Sequence, residues 1–154
     1  MVHVRVCTTI EAPPFRVWEE IRHLDRHVEW MDDAVAIRFI DGPRQGIGTR
    51  FECDTRIGRL RTTDRMIVTE WNPERAVTVV HQGRITGLGR MTLRSRRHGS
   101  TRCCWDERIT FPWWLGGPVA GAAAWPILRR VWQRNLGNLK QQVEGATPGT
   151  SPRD

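Results

Sequence analysis

The amino-acid sequence predicts one α+β domain: a curved antiparallel sheet of about seven strands around a long C-terminal helix, with two short helices after the first strand and an apolar cavity between sheet and helix. Three observations predict it. Apolar and polar residues alternate with a period of two in segment after segment between Val2 and Phe111, the signature of half-buried strands. Short turns such as Ile57-Gly58-Arg59 and Asn72-Pro73-Glu74 separate the segments, and short turns join neighbouring strands antiparallel. The last apolar pattern, from Pro126 to about Glu144, has helical spacing instead.

The first strand covers residues 2–10. Val2, Val4, Val6, Thr8 and Ile10 take one face, and His3, Arg5, Cys7 and Thr9 the other. Glu11-Ala12-Pro13-Pro14 ends it. Pro14 suits the first turn of a helix, with Phe15, Trp18, Ile21 and Leu24 as its apolar stripe. A second short helix or turn runs from Asp25 to Asp33. Val35, Ile37 and Phe39 then alternate up to Asp41-Gly42-Pro43. Thr49, Phe51, Cys53 and Thr55 share a face opposite Arg50, Glu52, Asp54 and Arg56. A long strand from about Leu60 to Trp71 carries charges on both faces, with Asp64, Met66 and Val68 sharing one of them with Thr62 and Glu70. Strands from about Arg75 to Gln82, over 87–96 and over 101–111 complete the sheet. Pro112 to Pro118 breaks it.

In the final helix Leu128, Trp132, Leu136 and Leu139 form the main stripe, flanked by Val131 and Val143. Pro126 either begins this helix or sits inside a longer one. Residues 145–154, rich in Gly, Pro, Ser and Thr, read as a disordered tail, which leaves the domain at 1–144. An antiparallel sheet of this kind has one face needing cover, and only the final helix is large enough to supply it. A curved sheet around one helix leaves space that side chains do not fill, and that space is the expected pocket.

At 39% hydrophobic and 27% charged, the composition is that of a chain that folds. No apolar run reaches about 18 residues, so no membrane-spanning helix is expected. The N-terminus lacks the pattern of a secretory signal, and a cytoplasmic protein is expected. Cys7, Cys53, Cys103 and Cys104 show no metal or redox spacing; they read as reduced structural thiols. The net charge of +7 comes almost wholly from arginine, scattered along the chain without a nucleic-acid motif, so a solvated basic surface is expected rather than a nucleic-acid partner. No GxSxG, phosphate loop, dinucleotide fingerprint or HExxH occurs, and no cofactor is expected. His23 and His27 at helical i,i+4 spacing lack a further ligand in view, so no metal site is expected.

Five segments then resemble a family: Ile10-Glu11-Ala12-Pro13-Pro14 followed by Val17-Trp18; His27 with Trp30-Met31; Gly46-Ile47-Gly48-Thr49-Arg50-Phe51; Val68-Thr69-Glu70-Trp71-Asn72-Pro73; and Trp105-Asp106-Glu107 ahead of the closing helix. Their order over residues 1–144 resembles the START-like, helix-grip (SRPBCC) superfamily, and within it the polyketide cyclase/dehydrase and lipid transport group. The resemblance implies a helix-grip fold and a cavity for a lipid- or polyketide-like molecule. It implies no single reaction, and no catalytic motif is carried over.

The last strand is the most informative about chemistry. Trp105, Glu107, Ile109 and Phe111 share a face. Three large apolar neighbours mark it as the inner one, so Glu107 points inward, where burial disfavours its charged form. That suits a general acid or a hydrogen-bond anchor; a structural pairing with an inward arginine is the plainer alternative. His81, on a face with Val77 and Val79, is a candidate base, although a histidine at a strand end is commonly just exposed. If Asp64, His81 and Glu107 converge, a base can remove a proton alpha to a carbonyl while an acid stabilises the enolate. The expected ligand wall is Trp30, Phe51, Cys53, Met66, Val79, His81, Met91, Trp105, Glu107, Ile109, Leu128 and Trp132. Trp113 and Trp114, beside paired glycines, read as a lid or a membrane-docking loop, with the basic surface favouring transient contact with anionic lipid.

These residues lead to a carrier or sensor of a small hydrophobic or aromatic molecule. A cyclase or aromatase using His81, Glu107 and Asp64 is the alternative, and an interaction module built on Trp113-Trp114 is the third reading. A converging acid and base inside the cavity favours the enzyme, a purely apolar cavity the carrier, and a filled interior the interaction module. The sequence leaves enzyme and carrier both open, and oligomeric state unspecified.

Overall fold

At one end of the sheet the first and last strands meet. β1 (Val2–Ile10) pairs antiparallel with β7 (Thr101–Thr110), from Val2 opposite Ile109 to Ile10 opposite Thr101. The computed structural model describes residues 1–145. Between the outer strands run β2 (Ala34–Phe39), β3 (Arg50–Ile57), β4 (Leu60–Asn72), β5 (Ala76–Gln82) and β6 (Thr86–Ser95), giving the antiparallel order β1-β7-β6-β5-β4-β3-β2. α1 (Pro14–Arg22) and a 3-10 helix (Leu24–Glu29) carry the chain from β1 at one edge to β2 at the other. α2 (Gly117–Gly145) follows a short 3-10 turn at Trp113–Leu115. The expected architecture is present. The tail expected over 145–154 lies outside the described residues, except for Gly145, which ends α2. No helix among the described residues is long and apolar enough to cross a membrane.

α2 does two jobs on β1. Its stripe of Leu128, Trp132, Leu136, Leu139 and Val143 is buried, in one core with Val2, Val4, Val6 and Ile10 of β1. Gly121, lacking a side chain, lets the helix approach Val2 so closely that a Cβ there would collide with it. The helix also caps the sheet's free edge, whose unpaired backbone groups otherwise invite strand pairing. Trp125 Nε1 donates to His3 O at 3.0 Å, Lys140 Nζ donates to Thr9 O at 2.7 Å, and Glu144 Oε1 accepts from Glu11 N at 2.8 Å.

Of the two readings of Pro126 the longer helix holds: α2 begins at Gly117, because the alanine-rich run ahead of the proline is strongly helix-forming, and Pro126 lies inside it. Other expectations need correction. In α1 the buried residues are Val17, Trp18 and Ile21, and Phe15 is 53% exposed; two residues turn a helix by about 200°, so Phe15 stands opposite Val17. A bulge between Ala34 and Ala36 turns Val35 outward at 59% exposure. A second bulge, between Val68 and Glu70, flips the end of β4. Glu70 therefore leaves the face of Asp64: it accepts from Arg90 Nε at 2.8 Å and Thr78 Oγ1 at 2.6 Å. Trp71 turns inward instead and meets Trp18 edge-on, with ring centroids 5.1 Å apart. Bulges shift register by one residue, and with it the face of every side chain beyond them.

The reading of four reduced thiols also fails. Cys7 and Cys104 stand directly opposite one another across β1 and β7, with Cα atoms 4.1 Å apart, and form a disulfide. Strand register, invisible to sequence spacing, creates the pair, and the cysteine argument for a reducing compartment falls away. Cys53 and Cys103 are free and buried, and burial pushes their thiols up to about 11 and about 12. Thiol alkylation followed by mass mapping is expected to leave Cys53 and Cys103 unlabelled until the chain unfolds, and Cys7 and Cys104 unlabelled until a reductant is added.

His27 is buried. Its Nε2–H donates to Ile21 O at 2.7 Å, and its ring lies 4.9 Å from that of Trp30. Burial, the dominant cause, pulls its pKa down to about 4. The unfolded histidine takes up a proton between its ordinary value and about 4 that the folded one refuses, so the folded state loses stability as pH falls through that window. The loss saturates at about 3 kcal/mol. Urea midpoints measured from about pH 7 down to pH 4 are expected to fall less steeply in His27→Gln than in the parent.

Candidate functional site

Seven strands at about 4.8 Å spacing make a sheet roughly 29 Å wide, whereas a helix with its side chains is about 10–12 Å across. α2 packs chiefly on β1 and β7, and α1 reaches β6 and, through Trp18, the end of β4, so much of the inner face of β3 to β6 is left without helical cover. There the structure opens a cavity of about 350 Å³. Its wall is mainly apolar: Phe51, Met66, Val77, Val79, Met91, Trp105 and Ile109 from the sheet, Leu128 and Trp132 from α2. Leu60 and Ile127 line it while being 43% and 56% exposed. They mark its mouth, between the β3–β4 hairpin and the first half of α2.

The polar groups gather at one part of this wall. His81 Nε2–H donates to Glu107 Oε1 at 2.8 Å, and Trp105 Nε1–H donates to Glu107 Oε2 at 2.6 Å. Glu107 is thus held from two sides, and it is neither the lone carboxylate nor the arginine partner that the sequence allowed. Gly89 faces Glu107 across β6 and β7, and a Cβ there would reach to 2.5 Å of Oε2; the missing side chain is the carboxylate's space. Burial works against a charged His81, but the hydrogen bond and charge of Glu107, joined by the charge of Asp64, outweigh it and hold its pKa above the ordinary histidine value. His81 Nδ1 is buried without a partner.

Asp64 lies on β4 and shares the cavity wall with His81. Met66, two residues away, is the direct cross-strand partner of His81, which makes Asp64 its diagonal neighbour. Thr62 Oγ1 donates to Asp64 Oδ2 at 3.2 Å, whereas Oδ1 is buried without a partner. Asp33 completes the group. Asn135 of α2, fully buried, donates from Nδ2 to Asp33 Oδ1 at 2.6 Å and accepts from Asp32 N at 2.9 Å. Burial raises the Asp33 carboxyl above its ordinary value, against the lowering effect of Asn135.

The structure brings Asp64, His81 and Glu107 to one cavity, along with Phe51, Cys53, Met66, Val79, Met91, Trp105, Ile109, Leu128 and Trp132. Trp30 is the exception and needs correction. It is buried behind the wall, between His27 and Trp105 at centroid distances of 4.9 and 6.2 Å, and serves the core. Trp113 and Trp114 do not line the cavity; Trp113 is 86% exposed. Asp33 was missed by sequence reading because it stands in a turn, where periodicity is silent; the buried Asn135 on the apolar stripe of α2 was its one signal. No group of His, Cys, Asp and Glu able to hold a metal ion occurs among the described residues.

The family model described as polyketide cyclase / dehydrase and lipid transport matches residues 1–144. No curated protein matches the chain. Solved structures share the fold at low identity. A Thermus thermophilus protein is 18% identical, with 94% of this chain and 99% of that chain covered at a TM-score of 0.78. A Deinococcus radiodurans protein is 14% identical, with 96% and 100% covered at 0.72. The Zhui aromatase/cyclase of Streptomyces sp. R1128 is 16% identical, with 93% and 91% covered at 0.67. With the family model matched over nearly the whole chain and the helix-grip fold in place, the chain belongs to the polyketide cyclase / dehydrase and lipid transport family of the START-like superfamily.

Proposed function

We propose that this chain binds one small, largely apolar molecule in the cavity and presents its polar end to His81, Glu107 and Asp64. The observation that carries this is the cavity itself: an apolar wall interrupted by the buried Asp64 and Glu107 and the partly buried His81. A carrier or sensor of a lipid- or polyketide-like ligand needs no more. Native mass spectrometry of freshly purified protein tests it. Extra mass that leaves on denaturation is the expected result; an empty cavity that also takes up no added apolar ligand overturns it.

A second reading, a cyclase- or aromatase-type enzyme, is favoured by the hydrogen bond between His81 and Glu107. Glu107 accepts the Nε2 proton, which leaves the Nδ1 lone pair of neutral His81 without a partner at the cavity wall. A proton alpha to a ligand carbonyl would pass to Nδ1, and the imidazolium formed would lie against the Glu107 carboxylate. The Zhui aromatase/cyclase, which shares the fold at 16% identity, supports this reading by fold alone.

Glu107→Gln separates these roles. The amide offers one oxygen for two N–H donors, so His81 turns to the other tautomer, with the proton on Nδ1. Turnover of a polyketide-like substrate is expected to fall by about 100-fold while the circular dichroism spectrum is kept. Equal turnover would remove His81 as the base. The same variant carries a pH signature. A histidine with a folded pKa above its unfolded value adds stability that is complete below the unfolded value and is lost as pH rises through the folded one. The stability gap between parent and Glu107→Gln is therefore expected to narrow in urea titrations from about pH 6 to pH 9.

The exposed Trp113-Trp114 pair follows Phe111, a cavity-wall residue, and leads into α2. It is suited to contact an anionic bilayer when ligand is exchanged. Changing both tryptophans to alanine is expected to leave the melting temperature nearly unchanged and to slow ligand transfer to and from anionic vesicles several-fold. Unchanged transfer would end that role.

A further inference from the structure

The cavity has a charge sign. Asp33, Asp64 and Glu107 line it, and among the described residues no arginine or lysine does, although the chain is rich in arginine. Glu107 is matched by His81 and Trp105, and Asp33 by Asn135. His27, the other histidine of the wall, has its Nε2–H committed to Ile21 O. Asp64 stands apart. It is 3% exposed, one oxygen holds Thr62, and Oδ1 has no donor. Gly83 lies beside it on the neighbouring strand path, where a Cβ would collide with Oδ1. The missing side chain of Gly83 is thus the space that Oδ1 occupies, and the fold seats there an oxygen it does not satisfy.

An unpaired buried carboxyl oxygen is costly, and a ligand that donates to it removes the cost. A ligand carboxylate or phosphate would meet three carboxyl groups here with no guanidinium or ammonium among the described residues to pair with, and His81, the one group of the wall that favours a positive charge, is already paired with Glu107. Resting on the cavity-binding reading above, we infer that the site selects a largely apolar molecule ending in a cationic amine, donated to Asp64 Oδ1, and rejects fatty-acid-like anions. The aromatic and aliphatic wall holds the body of the ligand; Asp64 chooses its head.

Three probes share one body and differ at the head: naphthalen-1-ylmethylamine, naphthalen-1-ylmethanol and 1-naphthoate, cationic, neutral and anionic at neutral pH. Their dissociation constants are to be measured by calorimetry on the full chain. The amine is expected to bind about tenfold or more tighter than the naphthoate, with the alcohol between. Asp64→Asn, which keeps shape and removes charge, is expected to cost the amine about tenfold and to leave the alcohol within about threefold. Gly83→Ala, which pushes on Oδ1 without touching charge, is expected to weaken the amine in the same direction, and it serves if the asparagine variant misfolds. Naphthoate binding as well as the amine, or an amine preference that survives both variants, overturns the inference while alcohol binding upholds the cavity. Failure of all three probes, the neutral alcohol included, overturns the cavity reading and this inference with it.

Discussion

One helix cannot cover a seven-stranded sheet, and the rest of this structure follows from where the helix is placed. α2 is committed to β1 and β7. The far edge is served by the 3-10 helix against β2. α1 adds cover at β6 and at Trp71 of β4, and the cavity occupies the part of the inner face that these covers leave over. The cavity is thus a consequence of element count and width, and single side-chain choices only tune its contents.

Those contents are organised by tryptophan. Rings run in contact from His27 through Trp30 and Trp105 to Trp132, with centroid distances of 4.9, 6.2 and 5.9 Å. The series links the 3-10 helix, the last strand and α2. Trp105 sits in the middle, and its indole N–H fixes Glu107; Glu107 in turn fixes the tautomer of His81. Core packing and site geometry are therefore one system here: the rings that bury apolar surface also aim the carboxylate.

Much of this was legible in the sequence, because period-two alternation with one polar residue among large apolar ones identifies an inward carboxylate. Glu107 between Trp105 and Ile109 is that case, and so is His81 beyond Val77 and Val79. Asp64 could be placed only with its strand, and its face stayed open because charges lie on both sides of β4. What resolved it was the bulge at Val68/Glu70, which has no mark in the sequence. The Cys7–Cys104 pair was hidden for a related reason: it depends on register between strands at opposite ends of the chain. Trp30 was misassigned because an aromatic residue reads the same in a core and in a cavity wall. Asp33 went unseen because turns have no period.

The treatment of β1 has a mechanical consequence. On one side this strand is sewn to β7 by a full ladder and a covalent sulfur bond. On its other edge it is gripped by Trp125, Lys140 and Glu144 of α2. Strand and helix therefore form a rigid jamb. Among the described residues nothing comparable ties the β3–β4 hairpin, with Leu60 at its tip, to Ile127 across the mouth. The two sides of the mouth are therefore held differently: the helix side is braced through β1, whereas the hairpin tip runs on beyond the pairing of β4 with β5, which starts at Met66.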